Sequence, residues 1–200
     1  MLPHGIWHLV WGLPYHCYLW HNCFRQVRLL LANAIEPKGV CGGSLITTRW
    51  ILTAAHCIPS DISYSNSRVR YGCLTPNIVN KPKPPPGCSE SSFTHGWVHP
   101  SYTSPGPPEN DVALLRMSKA AVKSFTVNTI CMTTMTMPTG EVATATGWGG
   151  IDNAGTQSPN LKEVLYDNVL ISRSQAAFPA CGKFFFSTIG PFGVQEPIFL

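Results

Sequence analysis

Arg49-Trp50-Ile51-Leu52-Thr53-Ala54-Ala55-His56-Cys57 is the stretch from which the rest of the chain is read. Its Trp-Ile-Leu run predicts a strand that feeds into two alanines, a histidine and a cysteine. The alanines remove bulk beside the imidazole, so a strand end can pack closely there. Cys41 stands sixteen positions before Cys57 and is its candidate partner. A bridge between them would staple the loop carrying His56 to the preceding strand. A general base needs such fixing, because its geometry must be in place before its pKa matters.

A lone histidine is by default a surface or satisfied core residue. This one has company. Glu109-Asn110-Asp111-Val112-Ala113-Leu114-Leu115-Arg116 follows, with Asp111 fifty-five positions after His56 and at the mouth of an apolar strand. A buried carboxylate must be hydrogen-bonded or paired, and an imidazole N–H is a suitable partner. Further on, Ala145-Thr146-Gly147-Trp148-Gly149 ends another predicted strand.

Cys41-Gly42-Gly43-Ser44-Leu45-Ile46, Thr53-Ala54-Ala55-His56-Cys57, Asn110-Asp111-Val112-Ala113-Leu114-Leu115 and Thr146-Gly147-Trp148-Gly149 occur in that order. In these motifs the chain resembles the trypsin/chymotrypsin-like serine peptidases, over about residues 26–176. The resemblance implies an all-β, trypsin-like double β-barrel. The first barrel would be complete over 26 to about 140, and the second, from 141, truncated. It implies a serine-type endopeptidase working by His/Asp/Ser acyl transfer. The family's own triad template then assigns the roles. His56 takes the nucleophile's proton, and Asp111 holds the imidazole in the right tautomer and stabilises its charged form. The implied partner of an intact relative is a polypeptide substrate or inhibitor, with no cofactor. The resemblance also implies a Cys41–Cys57 bridge, and pairs Cys131 with an N-terminal cysteine, Cys17 or Cys23.

Composition agrees with a secreted β domain. Two hundred residues suffice for one large all-β domain or two small barrels. Charged residues make up only 12%, so the surface relies on Ser, Thr, Asn and Gly. The net charge of +4 has no basic run behind it, so neither nucleic acid nor membrane is an expected partner. Eight cysteines point to an oxidising compartment. They allow on the order of a hundred pairings, so spacing alone fixes none. Cys73–Cys88 is expected because it would close the Pro-rich loop Lys81-Pro82-Lys83-Pro84-Pro85-Pro86-Gly87. Cys181 has no evident partner. No Cys-x-x-Cys occurs, so metal ligation by these cysteines is not expected. No run approaches the ~20 apolar residues of a membrane-spanning helix.

Strands are expected over Val27–Leu31, Ser44–Leu52, Arg68–Tyr71, Thr94–Val98, Val112–Met117, Glu141–Trp148 and Leu161–Ile171. A turn is expected at Glu36–Gly39 and loops at Ser104–Pro108 and Asp152–Gly155. The resemblance fails at both ends, in a leader, 1–25, and a tail, 177–200. The leader holds four of the seven histidines, which break up its apolar run and make it a poor signal peptide. The template places the nucleophile roughly 90 residues after the acid, near or beyond position 200. Gly-Asp-Ser-Gly-Gly-Pro does not occur in the sequence. No Gly-x-Ser-x-Gly replaces it, Ser44 is a strand serine, and Ser187 has no adjacent glycine. The expectation is therefore a truncated endopeptidase lacking its nucleophile. The alternatives are a non-catalytic homologue acting as a secreted binding module, and a metal-binding protein built on the His- and Cys-rich leader.

Overall fold

A computed structural model describes residues 8–10, 25–35, 37–74, 83–103, 109–130, 132, 142–148, 158–168, 186–189 and 195–198. The strands are β1 His8–Val10, β2 Gln26–Ala32, β3 Pro37–Leu45, β4 Trp50–Thr53, β5 Arg68–Tyr71, β6 Ser89–Val98, β7 Ala113–Met117, β8 Val142–Gly147, β9 Lys162–Asn168, β10 Phe186–Ile189 and β11 Gln195–Ile198.

Six of them close into a barrel in the order β2-β3-β4-β7-β6-β5. Alternation explains why. In β7, Ala113, Leu115 and Met117 are buried while Leu114 and Arg116 face outward and are half-buried. Val27, Leu29 and Leu31 of β2, Ile51 of β4, Val69 of β5 and Phe93 of β6 complete the interior with Leu45. Each such side chain contributes about 1.5–3 kcal/mol by leaving water. Two glycines permit close approaches inside this frame. A Cβ on Gly43 would lie 2.7 Å from Ile51 Cγ2, and one on Gly96 2.8 Å from the Tyr64 ring.

Three local expectations are corrected. Ser44–Leu52 is not one strand. β3 ends at Leu45, and the N–H groups of Ile46 and Thr47 both donate to the Trp50 carbonyl, turning the chain into β4. The turn expected at Glu36–Gly39 also lies elsewhere. Pro37 already begins β3, and an irregularity between Leu31 and Ala32 absorbs the offset in register. β6 runs from Ser89, five residues before its expected start at Thr94. The loops expected at Ser104–Pro108 and Asp152–Gly155 lie outside the described residues.

The remaining strands form a five-stranded sheet in the order β1-β8-β9-β10-β11. Its core pair is β8 with β9, antiparallel from Val142↔Asp167 to Gly147↔Lys162. Segments outside the family resemblance contribute here too. β1 pairs with β8, and β10 and β11 form a hairpin beside β9. Specific contacts pin this sheet to the barrel. Thr146 Oγ1 donates to Gln26 Oε1 at 3.1 Å, and the Trp148 indole N–H donates to the Leu74 carbonyl at 3.1 Å. The Leu161 N–H reaches the same carbonyl at 2.7 Å, and the Arg28 guanidinium lies over the Trp148 ring at 5.9 Å.

Candidate active site

β4 and β7 are antiparallel neighbours, with Thr53 opposite Ala113. The residues leaving β4 and those entering β7 therefore meet at one end of the barrel. That topology brings His56 and Asp111 together across 55 positions.

His56 sits in a single 3₁₀ turn, Ala55–Cys57. Ala54 and Ala55 are buried, and the small side chains let the turn lie against the barrel end. Three links hold it. Cys57 is bridged to Cys41 of β3, with Cα atoms 6.2 Å apart. Thr53 Oγ1, buried just before the turn, donates to the Gly42 carbonyl at 2.8 Å. The Cys57 N–H donates to the Ala54 carbonyl at 3.2 Å.

Asp111 binds His56 at two points. Its Oδ2 lies 2.6 Å from the ring Nδ1, and its Oδ1 accepts the His56 backbone N–H at 2.8 Å. The acid is the more enclosed partner, with 2% of its side chain exposed against 30% for His56. Burial pushes the Asp111 carboxyl up. The His56 ring hydrogen bond, the His56 backbone N–H, the His56 charge and the Ala55 N–H together outweigh that and hold it below its ordinary range. An ionised carboxylate only accepts, so Nδ1 carries the ring proton and the neutral ring has its lone pair on Nε2. The arrangement can therefore take a proton at Nε2 while Asp111 compensates the charge that forms.

The approach to Asp111 is equally specific. Asn110 has φ of 55°, the only non-glycine residue in the left-handed region among the described residues. Its Nδ2 donates to the Ser101 carbonyl at 2.9 Å, and the Val112 N–H closes on the Asn110 carbonyl at 2.7 Å. Sequence reasoning did not single out Asn110 or Thr53. The available signal at Asn110 was its residue type, since asparagine tolerates left-handed backbone.

Cys73 and Cys88 are also bridged, with Cα atoms 4.9 Å apart. Cys17, Cys23, Cys131 and Cys181 lie outside the described residues. Ser44 is buried in β3, at 6% exposure, opposite Gln26 and Leu52. The described residues contain no group of His, Cys, Asp and Glu that could hold a metal ion.

The family model for trypsin matches residues 22–179. The chain belongs to the trypsin family. It is 31% identical to trypsin I-P1 of Gallus gallus over 162 residues, which is 80% of this chain and 60% of that protein. It is 33% identical to trypsin alpha-4 of Lucilia cuprina over 142 residues, 71% of this chain and 51% of that one. Kallikrein 1-related peptidase b27 of Mus musculus matches at 32% over 165 residues, 76% of this chain and 55% of that one. The chain thus spans between about half and 60% of the length of these trypsin-family relatives. The all-β class, the closed first barrel and the disulfide bonding expected of the family are all present.

Proposed function

We propose that these 200 residues supply the base and its orienting acid of a secreted serine-type endopeptidase, with polypeptide as substrate. The observation carrying this reading is the two-point hold of Asp111 on His56. In acyl transfer, His56 Nε2 takes the proton of an attacking hydroxyl and later gives it to the leaving amine. Asp111 keeps the proton on Nδ1 and stabilises the imidazolium between those steps. Hydrogen bonds to a charged group are worth about 1.5–3 kcal/mol each, so one to the ring and one to the backbone together hold His56 against Asp111.

The attacking serine is not assigned within these residues, since Gly-Asp-Ser-Gly-Gly-Pro is not among them. On this reading these 200 residues hold the base and its orienting acid but not the attacking serine. Two disulfides in a family of trypsins and kallikreins support an extracellular setting. No helix among the described residues is long and apolar enough to cross a membrane.

A serine-directed fluorophosphonate tests the proposal. The 200-residue chain is expected to remain unlabelled and to turn over no peptide. The chain extended by a Gly-Asp-Ser-Gly-Gly-Pro-bearing C-terminal portion, then proteolytically trimmed, is expected to label and to lose labelling on His56→Ala. Stoichiometric labelling of the 200-residue chain, abolished by His56→Ala, would overturn the missing-nucleophile reading. An extended chain that labels equally well with and without His56 would overturn the base assignment.

A further inference from the structure

We propose that Asn110 is a positioning residue that aims the Asp111 carboxylate at His56. It rests on the reading of His56 and Asp111 as base and orienter, and it concerns what sets their geometry. The side-chain hydrogen bond of Asn110 goes to the Ser101 carbonyl, so it acts through Asp111.

Asp111 enters β7 from a loop whose two stems are tied together. The His99 N–H donates to the Val112 carbonyl at 3.0 Å, and the Thr103 N–H to the Glu109 carbonyl at 3.2 Å. Between these ties the chain must reverse sharply enough to present Asp111 inward. It does so with Asn110 at φ of 55° and a three-residue turn centred on Asp111, closed by Val112 N–H on the Asn110 carbonyl. Left-handed backbone is unfavourable for most side chains, and asparagine is among the few that visit it routinely. Here the amide does more than tolerate the conformation. Nδ2 is hydrogen-bonded to the Ser101 carbonyl on the opposite stem, so the rotation of residue 110 is fixed from across the loop. Ser101 is itself set by its N–H on His99 Nδ1 at 3.2 Å. The next Cα along carries the carboxylate. Both of its oxygens must meet His56 at once, within 2.6 and 2.8 Å. A small error in the angle at residue 110 breaks one contact or the other.

Two substitutions separate the contributions. Asn110→Gly leaves left-handed backbone accessible and removes the tie to Ser101. Asn110→Ala removes the tie and penalises the backbone as well. Native-state hydrogen exchange of the His56 backbone N–H reads the contact directly, because that N–H donates to Asp111 Oδ1. The Val69 N–H, in the middle of β5, reports the barrel as a whole. In the 200-residue chain, Asn110→Ala is expected to speed His56 exchange roughly tenfold or more with Val69 unchanged, and Asn110→Gly to fall between it and the parent. The far-downfield proton resonance of His56 Nδ1 should weaken in the same order. If Asn110→Ala unfolds the barrel, as fast Val69 exchange would show, Asn110→Gly decides alone. Faster His56 exchange with Val69 unchanged in that variant supports the proposal. His56 exchange within about twofold of the parent in the folded variants overturns it. Neither measurement needs turnover, so failure of the peptidase reading under fluorophosphonate leaves this result standing or falling by itself.

Discussion

The ring and the backbone of His56 bind different oxygens of the same Asp111 carboxylate. No neutral isostere can do this. An asparagine at 111 offers one oxygen and one amide donor. With its oxygen on the His56 N–H, the amide nitrogen faces Nδ1 and demands an acceptor there. Asp111→Asn is therefore expected to move the ring proton from Nδ1 to Nε2, the wrong tautomer for a base acting through Nε2, as in the family's serine triad. Imidazole ¹⁵N shifts would show the switch. An unchanged Nδ1–H tautomer would mean that Asp111 does not set it.

The same carboxylate makes stability depend on pH. Its folded pKa lies below its ordinary value, so the unfolded chain binds the proton more readily than the folded one. The stabilisation is fully present above the ordinary carboxylate pKa, about 3.9. It is lost as pH falls through the lower, folded value. The part of the stability difference between the parent and Asp111→Asn that comes from this carboxylate should thus shrink as pH falls below roughly 4. Urea titrations at a series of pH values check this. A gap that widens as pH falls below roughly 4 would reverse the sign of the assignment.

Much of this arrangement could be read from residues alone, and what could not has identifiable causes. Arg68–Tyr71 announces itself because Val69 and Tyr71 alternate with arginines, and the strand ending in Met117 because it is a short, mostly apolar run whose Ala113, Leu115 and Met117 are buried. His56 and Asp111 were readable because motifs surround them. The split of Ser44–Leu52 into two strands was not, because Ile46–Arg49 carries no Gly or Pro. Its turn is made by backbone donors converging on the Trp50 carbonyl. The first half of β6, Ser89-Glu90-Ser91-Ser92, lacks strand-forming residues and is held by pairing with β5. Tertiary context overrides propensity there. The left-handed turn at Asn110 is a matter of angle, and residue type permits such an angle without announcing it.

Gly43 tests how tightly the strand carrying Cys41 must pack. A methyl there would meet Ile51 Cγ2 at 2.7 Å, the Leu52 carbonyl at 3.0 Å and Val27 Cγ2 at 3.2 Å. One of these neighbours is backbone and the other two are buried core side chains, so none yields freely. Gly43→Ala is expected to cost about 1–3 kcal/mol by overpacking. A shift of the urea midpoint with unchanged slope would register it. A neutral substitution would show that β3 and β4 can part without penalty.

The two disulfides close loops of nearly equal length, with separations of 16 and 15, so chain entropy predicts a similar loss for each. Removing either should cost about 3 kcal/mol. They differ in what they hold. Cys41–Cys57 anchors the 3₁₀ turn bearing His56, whereas Cys73–Cys88 joins the residues after β5 to those before β6. Replacing Cys41 and Cys57 by alanine should accelerate exchange of the His56 N–H beyond the global effect. Replacing Cys73 and Cys88 should not. Equal local effects would mean that the first bridge has no special hold on the site.

Arg70 is 3% exposed, and its Nε donates to Glu90 Oε2 at 2.8 Å. Arg28 lies directly across from it in the β2–β5 register. Burial, and then the charge of Arg70, lower the pKa of the Arg28 guanidinium. Glu90 thus neutralises a place where two cations share a buried strand pair beside Trp148. Removing one member of a buried ion pair typically costs about 3–5 kcal/mol, because the other charge stays desolvated. Replacing both by apolar groups is often close to neutral. Glu90→Gln alone should therefore destabilise, and adding Arg70→Met should recover part of the loss. Urea unfolding of the parent, both single variants and the double variant gives the coupling. Simple additivity of the two single losses would show that Glu90 stabilises the barrel through something other than Arg70.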